Sequence, residues 1–171
     1  FRDFLTARGL LDPEDELVTV HPLNRESGGL DGFLYVAAEA ERPGVELYCR
    51  RMFVNQARAG LPEGMEFLGA CVNCDWINLT LSREAPVQDR AFDRFRAELK
   101  RAGLDMLKQL RSSRRGTLAR IAADHGPALK RAVAADDEAA GEIGPLLLVP
   151  RASGGEPWRL EEVAEAAGER R

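Results

Sequence analysis

The feature that most limits what this chain can become is an apolar stripe over residues 92–110. Phe92, Phe95, Leu99, Ala102, Met106 and Leu110 recur at spacings of three and four. That period puts all six on one face of an α-helix. Arg90, Arg94, Lys100, Arg101 and Lys108 lie mostly off that face. Such a helix needs a surface to cover, and the preceding sequence supplies one. Residues 30–37 (LDGFLYVA) are rich in aromatic and aliphatic side chains and read as a strand entered through Gly28-Gly29. Residues 45–54 (VELYCRRMFV) read as a second strand, with Val45, Leu47 and Cys49 on one face and Glu46, Tyr48 and Arg50 on the other. Arg42-Pro43-Gly44 makes the turn between them. Residues 70–81 are strand-like at both ends and irregular around Asn73 and Asp75.

The remainder follows the same logic. Residues 1–8 read as the end of a helix closed by Gly9. Gly103 weakens the long helix by roughly 1 kcal/mol relative to Ala without ending it. Residues 112–116 form a basic break, and residues 118–133 are helical again with an interruption at Gly126-Pro127. A short strand at 146–149, a polar loop at 151–157 and a final helix from Leu160 close the sequence. Strand–helix alternation of this kind predicts an α/β (α+β) fold.

Composition removes several classes of function. An apolar share of 44% and a charged share of 30% exclude wholesale disorder. No apolar run is long enough for a membrane helix. Phe1 opens the chain without a Met or a signal-like block, which points away from secretion and towards a piece of something longer. Three cysteines suit a reducing cytosol better than a disulfide scaffold. The net charge is −4, yet residues 83–116 carry 10 basic and 5 acidic side chains. An acidic chain with one basic segment is not a nucleic-acid binder by default, but a local anion contact suits that segment.

Few residues offer chemistry of their own. Cys71 and Cys74 form a CxxC pair, but zinc needs a second pair, which Cys49, His21 and His125 do not provide. A redox motif would open a helix, whereas strand-like sequence follows here, so the cysteines read as small half-buried residues. No dinucleotide fingerprint or phosphate loop is present. One segment stands apart, residues 77–84 (INLTLSRE). Read as a strand turning directly into the long helix, it puts Arg83 at the helix entrance. Ser82 then acts as N-cap and Arg83 is a solvated first-turn residue, or Arg83 has a functional role, since a cation in the first turn opposes the helix dipole.

These segments, in this order, resemble the heat-shock protein 90 family of ATP-driven chaperones, specifically the middle segment of a bacterial HtpG-type member. Residues 12–17 (DPEDEL) resemble its acidic turn after a leading helix, and residues 32–36 (GFLYV) its first core strand. Residues 45–54 resemble its leucine-tyrosine-valine-arginine-arginine strand. Leu61-Pro62-Glu63 with Phe67-Leu68 resembles its leucine-proline-glutamate helix. Residues 79–84 (LTLSRE) resemble its serine-arginine-glutamate motif, and residues 106–110 fall where its long helix ends. Residues 146–149 and 160–163 are similar to the strand and helix of its small lobe. Thr80, Val87, Cys71, Cys74 and Trp76 depart from the family pattern and mark a divergent member.

The resemblance implies a large α-β-α lobe with a mixed sheet over residues 1–110, a helical connector over 111–128 and a smaller α-β-α lobe over 129–171. It implies that Arg83 reaches the γ-phosphate of ATP held, with Mg2+, in a preceding domain, with Glu84 in support. Arg50, Arg51 and Phe53 are implied to dock that ATPase domain. Implied partners are the chain's own N-terminal ATPase and C-terminal dimerisation domains and unfolded client proteins. The whole would be a cytoplasmic homodimer with no nucleic-acid or membrane partner, and this segment alone would be catalytically silent. Two other readings stand beside it. One is the transducer domain of a gyrase- or mismatch-repair-type ATPase, which would reach nucleotide with a lysine. Lys100, Lys108 and Lys130 all fall in helical stretches, against that reading. The other is a stand-alone protein-binding module.

Overall fold

A computed structural model describes residues 1–24, 29–38, 43–56, 61, 63–135, 137–149, 158–160, 163 and 165. Five strands build the main sheet: β1 (Leu17–Leu23), β2 (Leu30–Ala37), β3 (Val45–Cys49), β4 (Met52–Gln56) and β5 (Leu68–Cys74). Their order is β1-β2-β5-β3-β4. All neighbours are antiparallel except β3 and β5, which run parallel. The predicted mixed sheet is therefore present, and the fold is α+β.

One face of the sheet carries α2 (Arg90–Ser113), the helix the apolar stripe predicts. Phe92, Phe95, Leu99, Met106 and Leu110 are buried, and Ala102 packs at the margin. They meet Leu34, Val36, Leu47, Val72 and Cys74 from the sheet. Gly103 has a packing reason: a Cβ there would come within 2.9 Å of Leu68 Cδ1 and 3.0 Å of Met65 Sδ. The small residue lets helix and sheet approach, which offsets its low helix propensity. The other face carries α1 (Arg2–Ala7), with Leu5, Leu10 and Leu11 packed on Tyr35 and Ala37. As predicted, Gly9 closes α1, at φ +66.

After α2 come α3 (Arg115–Asp124), α4 (Gly126–Ala135) and α5 (Asp137–Ile143); the break falls at His125, one residue before the expected Gly126-Pro127, which opens α4 instead. His125 is structural: Nε2 lies 2.8 Å from Ala37 O and the ring stacks on Phe67. A 3₁₀ turn (Gly144–Leu146) leads to β6 (Leu148–Val149), which pairs with β7 (Trp158–Arg159). Leu160, Val163 and Glu165 are helical. Gly28, Arg42, Pro62 and the whole polar loop at 151–157 lie outside the described residues.

Three expectations need correction, and one strand was not expected at all. Residues 45–54 are two strands, because Arg50 and Arg51 form a two-residue turn with φ of 51° and 65°. The two adjacent arginines therefore do not divide between sheet faces. Residues 17–23 form an edge strand that no sequence signal announced, and Pro22 is tolerated there because an edge has a free side. Leu61, Glu63 and Phe67-Leu68 form turns and the start of β5 rather than a helix. Finally, residues 77–84 do not run directly from strand into helix.

Candidate functional site

β5 ends at Cys74 and α2 begins at Arg90, so the chain between them must be held by its own turns. Leu79 pairs with Pro86 in an isolated antiparallel bridge. The Thr80 N–H donates to Ala85 O at 2.9 Å, and the Arg83 N–H to Thr80 O at 2.8 Å. The Val87 N–H donates to Asn78 O at 2.8 Å. The result is a short hairpin-like loop with Leu81, Ser82, Arg83 and Glu84 exposed at its tip. Leu81 is fully exposed, and Arg83 adopts φ +60. Such a backbone conformation costs a non-glycine residue energy and is worth a functional question.

The N-cap of α2 is Asp89, not Ser82. Its Oδ1 accepts from the Ala91 N–H at 2.9 Å and the Phe92 N–H at 3.1 Å. Asn78 Nδ2 donates to Oδ2 of the same carboxylate at 2.8 Å. The bond from Asn78, followed by those from the backbone, holds the Asp89 carboxyl below its usual range. One aspartate thus starts the helix and fixes the root of the loop. Asp-x-x-Phe before an apolar stripe is an N-cap signal readable in the sequence, and it was missed. Freed from capping, Ser82 instead sits 3.2 Å from Thr80 Oγ1, hydroxyl to hydroxyl.

Because β3 and β5 run parallel, their C-terminal ends share one end of the sheet. The Arg50 N–H donates to Asp75 Oδ1 at 3.0 Å and the Arg51 N–H to Asn73 Oδ1 at 2.8 Å. The Arg50-Arg51 turn is therefore tied to the stretch that leads into the Arg83 loop. Among the described residues, the non-glycine positions with positive φ are Arg50, Arg51 and Arg83. All three are exposed. No side-chain hydrogen bond or ion pair joins Arg83 or Glu84 to Arg50, Arg51 or Phe53 among the described residues, so they share an end of the sheet without touching through such bonds.

Phe53 is half exposed and lies in a different environment, edge-on to Tyr48 at 5.7 Å with the Arg8 guanidinium 5.7 Å from its ring centre. Sequence reading also missed Glu46, which sits beneath this group, 1% exposed, with Arg8 and Tyr48 on its carboxylate. An alternating strand pattern gave no sign that a glutamate on the covered face would have a partner 38 residues earlier.

The cysteines do not cooperate. Cys71 and Cys74, three apart on a strand, face opposite sides of the sheet. Burial raises both thiols to about 11. Among the described residues no group of three potential ligands gathers that could hold a metal.

The fold and this end of it define a mixed-sheet α+β domain that presents cationic loops from a rigid base. A family model described as Hsp90 protein matches residues 32–162. The chain belongs to the Hsp90 family of chaperones.

Proposed function

We propose that this chain is the middle segment of an ATP-dependent chaperone and that Arg83 contacts the γ-phosphate of ATP held in a preceding domain. One observation carries the reading: Arg83 stands at the tip of a braced loop, exposed, with no partner for its guanidinium among the described residues. A planar, permanently charged fork of donors fits a terminal phosphate. When bound, ATP with Mg2+ supplies the phosphoryl group and its charge. This chain supplies a cation carried on a loop whose root is fixed by Asn78 and Asp89, so little reorganisation is needed on docking. Glu84 stands next to it. Arg50, Arg51 and Phe53 are proposed to face the ATPase domain from the same side. Unfolded clients, dimerisation through a following domain, a cytoplasmic HtpG-type setting and the division at residues 110 and 128 belong to the same proposal.

The test is Arg83→Ala in a polypeptide that carries the nucleotide-binding domain. ATP hydrolysis should fall by about 10²-fold, the usual effect of removing one transition-state donor, while ATP binding stays unchanged. The isolated chain should show no turnover with ATP and Mg2+. Hydrolysis at the parental rate in the Arg83→Ala protein overturns the reading.

A further inference from the structure

The pleat separates Cys74 from Cys71, but it gives Cys74 another thiol neighbour. β3 and β5 run parallel, and their register pairs Leu47 with Val72 and Tyr48 with Asn73. One residue beyond the cysteines, the Arg50 N–H donates to Asp75 Oδ1 at 3.0 Å. Between these two ties stand Cys49 and Cys74, side by side on adjacent strands. Both are buried in the main core, so both side chains point to the α2 side of the sheet. We infer that Cys49 and Cys74 form a two-coordinate site for a soft monovalent metal ion, copper(I).

Spacing decides the kind of bridge. Neighbouring strands lie about 4.8 Å apart, and two sulfurs that leave their strands in the same direction keep that separation. Two metal–sulfur bonds of about 2.3 Å in line span about 4.6 Å, so one ion fits between them with the strands in place. A disulfide needs the two Cβ atoms about 3.5–4.5 Å apart, closer than this spacing. Zinc takes four ligands, and among the described residues no group of three candidates gathers. Copper(I) is soft, prefers thiolates and is satisfied by two of them.

The surroundings hold the pair in place. Asp75 Oδ1 also accepts from Asn73 Nδ2 at 2.9 Å, and the Arg51 N–H donates to Asn73 Oδ1 at 2.8 Å. The Cys49 thiol donates to Ile77 O at 3.9 Å, and the Cys74 sulfur accepts from the N–H groups of Trp76 and Ile77. Both thiols thus converge on residues 75–77, just past the end of β5, and little freedom is left to lose on binding.

Binding exchanges protons for the ion. Two S–H bonds break, two S–Cu bonds form, two protons leave to solvent, and the copper stays monovalent throughout. The product carries one negative charge in a buried place, which is costly unless donors face it. Burial and Asp75 oppose a thiolate at both positions. Against them stand the Arg50 charge at Cys49 and the two N–H groups at Cys74.

The test is an anaerobic titration of the 171-residue chain against the coloured copper(I) complex of bicinchoninate. The chain should withdraw one equivalent of copper while its circular dichroism stays native. X-ray absorption should show two sulfur neighbours and no nitrogen. Cys71→Ser should bind as the parent does, whereas Cys49→Ala and Cys74→Ala should each leave the copper with bicinchoninate. No withdrawal by the parental chain overturns the inference, and so does uptake only with loss of the native circular dichroism. One equivalent still bound by Cys49→Ala, or binding lost in Cys71→Ser, overturns it as well. The parental titration decides the matter even if a variant does not fold.

Discussion

Arg8, just past the end of α1, closes a two-pronged ion pair on Glu46 of β3, Nη2 to Oε1 at 2.7 Å and Nε to Oε1 at 3.0 Å. The carboxylate is buried, whereas the guanidinium is partly open to water. The Tyr48 hydroxyl donates to the same carboxylate at 2.8 Å. Burial, followed by that hydrogen bond and the charge of Glu46, pushes the phenol up to about 12. The helix on one face of the sheet is thereby fastened to the β3–β4 hairpin through one acid.

Removing one partner of a buried pair leaves the other charge without compensation, whereas removing both charges often does little harm. Arg8→Ala should therefore lower the melting temperature, and Glu46→Gln added to it should restore part of the loss. A double variant less stable than Arg8→Ala alone would show that Glu46 is held by Tyr48 and not by Arg8. Calorimetry on the three proteins decides.

Gly69 is opposite Tyr35 across the β2–β5 ladder, and a Cβ at Gly69 would fall within the ring, 2.0 Å from Cζ. The ring cannot swing aside easily, because its hydroxyl is 2.7 Å from Leu10 O and 3.0 Å from Gly44 O. Gly69→Ala should cost about 1–3 kcal/mol, as overpacking generally does. Tyr35→Leu should rescue part of that in the double variant, measured by urea unfolding. Additive losses would mean that the backbone, not the ring, resists the methyl.

How far the sequence could be read depended on whether the physics was local. The α2 stripe and the β2 strand were legible because burial on one face writes a period into the residues themselves. Arg50-Arg51 hid a turn because arginine is not a turn residue, and nothing local reveals that Asp75 and Asn73 accept from their N–H groups. The motif around Arg83 led to a residue that is exposed, as expected, but in a local structure other than the expected one. Ser82 looked like a cap because it preceded the helix, yet the backbone bonds that Asp89 accepts start that helix seven residues later. The Arg8–Glu46 pair was illegible for the plainest reason: its halves are far apart in the chain.

Cys71 and Cys74 have thiols raised from an ordinary value near 9 to about 11, in both cases chiefly by burial. Between those limits the unfolded chain has lost the proton and the folded chain retains it. The folded state therefore binds more protons, and stability falls as pH rises from about 9 to about 11. For the fully buried Cys74 the slope should approach about 1.4 kcal/mol per pH unit. Cys74→Ala should flatten this decline even if it lowers stability at pH 7. Both thiols should also react slowly with a disulfide reagent at pH 8 until the protein is unfolded, since the thiolate is the reactive form. Rapid labelling of the native chain would contradict both expectations.

The last prediction concerns the β3–β4 turn. A two-residue hairpin with positive φ at both positions strongly prefers Asn-Gly, because those residues enter the left-handed region at little cost. Here both positions are arginine, at φ 51° and 65°, with exposed side chains. Arg50→Asn with Arg51→Gly should therefore stabilise the chain, by about 1 kcal/mol. The backbone bonds to Asp75 and Asn73 need only N–H groups and would survive. If the arginines are there to meet the ATPase domain, the same double variant should weaken docking and slow ATP hydrolysis in the longer protein while raising its melting temperature. A gain in stability with no change in hydrolysis would leave the strain without that function. A loss in stability would mean that the arginine side chains support the fold, and that the turn was misread as strained.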